Sequence, residues 1–379
     1  MGRVYFDYNA TTPLAPEVAA AMGPFMEEAY GNPSCLHWAG QRGRAAVEKA
    51  RSQVAAFLGC ETDEVVFTSG GTESNNAALT GVFFKHRGER TPHFIISGVE
   101  HSSIYKVAAF LERLGAELRL LPVDRFARVD PESVRNAIQG NTVLVSVMHA
   151  NNEVGTIQPI AEIAAIARRR GVLMHCDAAQ TAGKIPINVR DLGVDLLTIA
   201  GHKMYAPQGV GALYMRRGIE LEPLMHGASH ESGRRAGTEN VLEIVGLGVA
   251  CELAMRRAEM GSIRDLRDYF WQLLREQFGE RVVLNGHPTQ RLPNTLNVSF
   301  VGCQGYEVLS HVTDVAASVG SACHDGSYEL SPVLRAMGVP EAIGLGAIRF
   351  SLGWGSTREE VESVVRQLAR FVPEAESQR

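Results

Sequence analysis

From about residue 45 to 260 the chain alternates short apolar, β-branched runs with longer amphipathic stretches. That alternation restricts the fold most, because runs buried on both faces and separated by helices build a mainly parallel sheet covered by helices. Six runs read as strands: "EVVFTSG" (64–70), "HFIISG" (93–98), "TVLVSVMHA" (142–150), "GVLMHCDAA" (171–179), "DLLTIAG" (195–201) and "VGALYM" (210–215). Helices between them include "TESNNAALTGVFFKH" and "IAEIAAIARRRG". After residue 260 the pattern changes. An amphipathic helix, "IRDLRDYFWQLLREQFG", opens a second, smaller unit with strands at "TLNVSFVG" and "AIRFSLG" and a closing helix "TREEVESVVRQLARFV".

Composition narrows the class. With 379 residues, 45% of them apolar, the chain buries a full core and most simply makes two domains. A formal net charge of −5 argues against a nucleic-acid scaffold, which needs a basic balance to neutralise phosphates. "MGRVYFDYNATT" has an early Asp7 and no apolar stretch, and Phe6 stands where a myristoylation signal needs Ser or Thr. No apolar run approaches the length of a membrane span, so a cytoplasmic protein without membrane partners is expected. Cysteines at 35, 60, 176, 251, 303 and 323 form no C-x-x-C pair, which predicts free thiols and no metal site.

Ligands of open parallel sheets bind beyond the carboxyl ends of the strands, and polar residues collect at those ends here. "TSGGTESNN" joins a strand to a helix start, so Gly71 and Thr72 can cradle an anion or simply make a turn and a cap. His101 follows the second strand, Asn151 and Asn152 follow the third, and turn or core chemistry explains any of them alone. Asp177 and Gln180 extend from an apolar strand, and a carboxylate there calls for a cationic partner. Lys203 and His202 follow the fifth strand. Jointly, an anion cradle, an aspartate, a histidine and a lysine are what pyridoxal 5′-phosphate (PLP) requires. Near the C-terminus Cys323 stands between Gly320 and Gly326, a position that suits either a packed thiol or a reactive one on a mobile loop.

At these residues the chain resembles the cysteine desulfurases, the NifS/IscS-like branch of the class V PLP-dependent aminotransferases. The resemblance runs through "YFDYNATTPLAPEV", "GNPSCLHWAG", "TSGGTESNNAAL", "VEHSSI", "HANNEVGTIQPI", "HCDAAQTAGKIPINV", "GHKMYAPQGVGALY", "RRAGTENV", "SACHDG" and "IRFSLG". It implies an α/β fold of PLP-dependent transferase type I: a mainly parallel seven-stranded sheet in a large domain (15–260), plus a smaller α+β domain (1–14 and 261–379). It further implies that Lys203 carries PLP and serves as base, that Asp177 pairs with the ring nitrogen and that His101 stacks on the ring. Gln180 would bond the phenolic oxygen with Asn152 beside it, near the substrate. Gly71, Thr72 and His202 would hold the phosphate, and Thr238 would reach the phosphate of the neighbouring subunit in a homodimer. Arg349 would take the substrate carboxylate, and Cys323 would accept sulfur as a persulfide for delivery to an acceptor or scaffold protein in iron–sulfur or thio-cofactor synthesis.

The chain departs from the desulfurase pattern at Ala200, where a phosphate-binding serine is common, at Ala206, and in "SACHDG" after the cysteine. Selenocysteine lyases share "LLTIAGHK", "GTEN" and a histidine after the loop cysteine, so release of selenium from L-selenocysteine is the alternative activity. A non-catalytic PLP-fold binding protein is the third reading, and the intact Lys203, Asp177, His101 and Cys323 weigh against it.

Overall fold

The computed structural model describes residues 2–88, 91–257, 261–319, 321–324 and 327–372, and within 321–328 the backbone only. In chain order the strands are β1 (Val4–Tyr5), β2 (Val65–Thr68), β3 (His93–Ser97), β4 (Glu117–Leu121), β5 (Thr142–Ser146), β6 (Leu173–Asp177), β7 (Leu196–Ala200) and β8 (Gly211–Met215). They continue as β9 (Val282–Asn285), β10 (Thr295–Phe300), β11 (Val315–Ala316), β12 (Ser318–Val319), β13 (Ser321–His324), β14 (Ser327–Leu330) and β15 (Ala347–Ser351).

A seven-stranded sheet runs in the order β2-β8-β7-β6-β5-β3-β4, with β8 alone antiparallel to its neighbours. The mainly parallel sheet is as expected. Alternation along each strand explains why it is covered twice. Val65, Phe67, Leu197 and Ile199 join one apolar cluster with the helices Trp38–Leu58, Ile160–Arg169 and Val241–Arg256. Val66, Leu196 and Leu213 face the other side, against the helices Gly71–His86 and Ser102–Arg113. The seventh strand, β4, is not among the six runs read from the sequence. It is an edge strand reading ELRLL, exposed over most of its length, so burial gave it no apolar signature.

A second sheet, β12-β15-β10-β9, is antiparallel and lies against the helices Gly261–Phe278 and Arg358–Leu368. Phe270 centres its core, with ring centroids 5.8 Å from Phe6 and 5.1 Å from Phe350. The first residues of the chain belong to this region: β1 pairs with β11, and Asp7 bridges to Ser351. From there residues 9–15 cross the carboxyl edge of the large sheet, where the Thr12 amide donates to the His202 carbonyl at 2.9 Å and that of Ala15 to the Tyr205 carbonyl at 3.1 Å. Both sheets therefore contribute to one cleft.

Cys323 lies on β13, which pairs with β14 in an antiparallel hairpin that sets Cys323 opposite Tyr328. A mobile loop was one of the two expectations for Cys323; the described backbone there is strand instead. The flanking Gly320 and Gly326 lie outside the described residues.

Candidate active site

A cavity of about 330 Å³ opens at the carboxyl ends of β6 and β7. Its wall brings together Gly71, Thr72, His101, Asn152, Asp177, Gln180, His202, Lys203 and Arg349, which the sequence scatters over 279 positions from 71 to 349. Thr238 is exposed and does not line the cavity of its own chain. The Cys323 side chain lies outside the described residues.

Asp177 ends β6 and is buried, at 4% exposure. Its Oδ2 accepts from Asn75 Nδ2 at 2.8 Å and its Oδ1 from the Ala179 amide at 2.9 Å, and among the described residues it has no ion-pair partner. The second N–H of Asn75 goes to Ser103 Oγ, 2.8 Å away, and that hydroxyl lies 2.8 Å from His101 Nδ1. Because Nδ1 also accepts from the Ser103 amide at 3.2 Å, capping the helix Ser102–Arg113, a neutral His101 carries its proton on Nε2. Neither Asn75 nor Ser103 was anticipated. Asn75 stands three positions, just under one helical turn, after Thr72, a spacing that points to nothing until the strands are assembled.

Lys203 ends a single 3₁₀ turn after β7 and is held from below. Its Nζ donates to the carbonyls of Asn9 (2.7 Å) and Ala10 (2.6 Å). Burial, then the Arg349 cation, brings its amine down to about 8, against the opposing pull of Asp7 and Asp177. A lysine so placed is part neutral near pH 7 and can attack a carbonyl carbon. His202, beside it, is brought down to about 4 by burial and by Lys203 and Lys184, so it is a neutral donor or acceptor near pH 7, with Nδ1 3.2 Å from Thr11 Oγ1.

The anion end of the cavity is the start of the helix Gly71–His86, entered through Gly70 at φ 146°. A Cβ added at Gly71 would lie 3.3 Å from the Ala200 Cβ, so small residues at both positions keep the floor open. Asn151 has the turn role considered for it: its Oδ1 accepts from the amides of Glu153 and Val154 at 2.9 Å each. Asn152 instead lines the cavity, with its carbonyl accepting from Arg349.

Arg349 is neither free nor on the surface. It is 9% exposed, and it donates to Asp7 Oδ1 at 2.7 Å, to Ser318 Oγ at 2.9 Å and to the Asn152 carbonyl at 2.9 Å. Among the described residues its buried Nε has no partner, nor has Asn75 Oδ1.

These groups fit PLP. Among the described residues the buried Asp177 carboxylate has only neutral donors, which suits a protonated ring nitrogen; Lys203 suits its aldehyde and the helix start its phosphate. Among the described residues no group of three or more His, Cys, Asp or Glu is placed to hold a metal, and no helix is long and apolar enough to cross a membrane.

The aminotransferase class-V family model matches residues 4–364. The chain belongs to that family. Within the class-V aminotransferases it falls among the cysteine desulfurases: it is 47% identical to a cysteine desulfurase IscS of Dictyoglomus turgidum, over 97% of this chain and 94% of that protein. Among solved structures, a NifS-like protein superposes with a TM-score of 0.91 at 36% identity, covering 97% of this chain and 98% of that one. An SspA solved in complex with cysteine gives a TM-score of 0.80 at 36% identity, covering 92% and 98%. Class-V aminotransferases use PLP, so the chain is a desulfurase-type enzyme of a PLP-dependent family.

Proposed function

We propose that this enzyme takes the sulfur of L-cysteine onto Cys323 as a persulfide and releases L-alanine. The observation that carries the reading is the convergence, in one cavity, of the depressed amine of Lys203, the cation-free carboxylate of Asp177 and an open helix start. Lys203 and Asp177 would hold PLP at its two reactive ends, with Gly71, Thr72 and His202 at its phosphate, Gln180 at its phenolic oxygen and His101 over its ring. Bound there, PLP supplies a carbonyl for the substrate amino group and an electron sink for the pair left when the Cα proton is removed.

The chain's own residues then have separate tasks. Lys203, part neutral near pH 7, takes the Cα proton. Arg349 turns from Asp7 towards the substrate carboxylate, for which its Nε has a hydrogen to give. The Cys323 thiolate attacks the substrate sulfur; the new S–S bond forms as the C–S bond breaks, the electron pair stays with carbon, and protonation there completes alanine. Net, one sulfur atom moves from cysteine into the Cys323 S–H bond, with no external oxidant. Four of the other five cysteines are poor candidates, since burial pushes the thiols of Cys60, Cys176, Cys251 and Cys303 up, that of Cys60 to about 12.

The reading includes a homodimer, supported by Thr238 being exposed and away from its own cavity. It also includes a cytoplasmic setting and delivery of the persulfide sulfur to an acceptor protein of iron–sulfur or thio-cofactor assembly, in keeping with the IscS relatives. The decisive experiment compares wild type with Cys323→Ala for alanine formation from L-cysteine and from L-selenocysteine. Turnover of cysteine that Cys323→Ala abolishes supports the reading. A marked preference for selenocysteine that survives the substitution refutes it in favour of selenium release.

A further inference from the structure

Beneath the cavity lies a second buried lysine. Lys184 is 6% exposed, and its Nζ donates to Gln180 Oε1 at 2.7 Å and to Asn9 Oδ1 at 2.9 Å. Among the described residues it has no carboxylate partner, and burial pulls its amine well below the ordinary lysine range. A lysine paired only with amide oxygens is expensive to bury.

Its hydrogen bonds fix the orientation of two amides. An amine donates and a carbonyl only accepts, so each amide is assigned from both ends. Gln180 has its oxygen on Lys184 and its Nε2 on the Asn9 carbonyl, at 2.9 Å. Asn9 has its Oδ1 on Lys184 and on Asn294 Nδ2 (3.0 Å), while its Nδ2 donates to Thr295 Oγ1 (2.8 Å) and the Asn152 carbonyl (3.2 Å). The Asn9 carbonyl that takes Gln180 Nε2 also takes Lys203 Nζ at 2.7 Å. Lys184, Gln180 and Asn9 therefore form one closed circuit, with Lys203 attached at the Asn9 carbonyl.

We propose that Lys184 is a positioning residue: by donating to Gln180 Oε1 and Asn9 Oδ1 it turns the Gln180 amide so that its remaining N–H faces the cavity as a donor. Without it only the Asn9 carbonyl, already shared with Lys203, distinguishes the two ends of that amide on the cavity floor. The opposite orientation would set the Gln180 oxygen against the Asn9 carbonyl and against an anionic phenolic oxygen. The proposal rests on the PLP reading above.

The test uses protein freed of cofactor and titrated with PLP, reading the dissociation constant, the absorbance maximum of the bound form and the melting temperature of the stripped protein. Wild type that takes up no PLP refutes the functional reading, and this proposal with it. Given uptake, Lys184→Met is expected to weaken PLP binding about tenfold, the value of one well-placed hydrogen bond, and to shift the absorbance maximum. Lys184→Met with Gln180→Leu is expected to bind no more weakly than Gln180→Leu alone, since one residue acts through the other. Wild-type affinity and spectrum in Lys184→Met, or losses that multiply in the double variant, overturn the proposal. Should Lys184→Met fail to fold, Gln180→Glu decides. A carboxylate keeps the acceptor for Lys184 but loses the N–H given to the Asn9 carbonyl and the one facing the cavity, so weaker PLP binding is expected, with a lower melting temperature from the lost Asn9 bond. Unchanged binding overturns the proposal.

Discussion

Lys203→Met in the cofactor-free protein isolates the electrostatic cost of burying Lys203. Its amine lies at about 8 in the fold, against an ordinary value of 10.5. For a base lowered on folding, the unfolded chain binds the proton more tightly, so stability rises with pH across the interval between the two values. Below about 8 both states are protonated and the full penalty applies; above the unfolded value both are neutral and none remains. The shift corresponds to a penalty of about 3 kcal/mol near neutral pH, falling below about 1 kcal/mol by about pH 10. Methionine has no such penalty, but it loses the donors to the Asn9 and Ala10 carbonyls, a cost that does not depend on pH. The expected result is thus a difference that moves with pH. From about pH 7 to about pH 10 wild type gains about 2 to 3 kcal/mol on the variant. Urea unfolding of both proteins at stepped pH measures it, and groups common to both cancel. A difference that stays flat over this range, or falls as pH rises, refutes the assignment of a buried, depressed lysine.

Three further outcomes follow from the same geometry. Arg349→Gln removes a cation that repels the Lys203 ammonium, so the amine should titrate above about 8 and the pH dependence of PLP uptake should move to higher pH; an unmoved profile counts against the coupling. Asn75→Ala takes one donor each from Asp177 and Ser103, and thermal unfolding should show a loss of about 1 to 3 kcal/mol, the cost of leaving buried polar groups short of a partner. The Glu153 carboxyl, raised to about 7 by burial and accepting from Ser331 Oγ at 2.7 Å, becomes harder to keep as pH rises from the unfolded carboxylate range to about 7. Glu153→Gln should therefore unfold later than wild type above that range, with the advantage shrinking towards acid; an advantage independent of pH contradicts this.

What could be read early was whatever depends on runs of neighbouring residues. Strands β2, β3, β5, β6, β7 and β8 announce themselves because burial on both faces demands unbroken apolar stretches. The edge strand β4 does not, since its solvent-facing residues need not be apolar. Gly71, Thr72, His101, Asn152, Asp177, Gln180, His202 and Lys203 could be picked out because each stands at a strand end, where a parallel sheet opens its cleft, and all of them line one cavity.

The amino-acid sequence by itself determined the alternation that makes the sheet, the residues at its carboxyl edge and the family motifs that place a cysteine at 323. Tertiary structure alone decided how those residues are held. Asp7 reaches Arg349 across 342 positions, Asn9 joins Lys203, Gln180 and Lys184, and Asn75 ties Asp177 to Ser103 beside His101. Thr238 stays outside the cavity of its own chain for the same reason. Periodicity reports which face of an element is apolar, whereas a hydrogen bond needs two atoms within about 3 Å, and only the packed fold sets that distance between residues far apart in the chain.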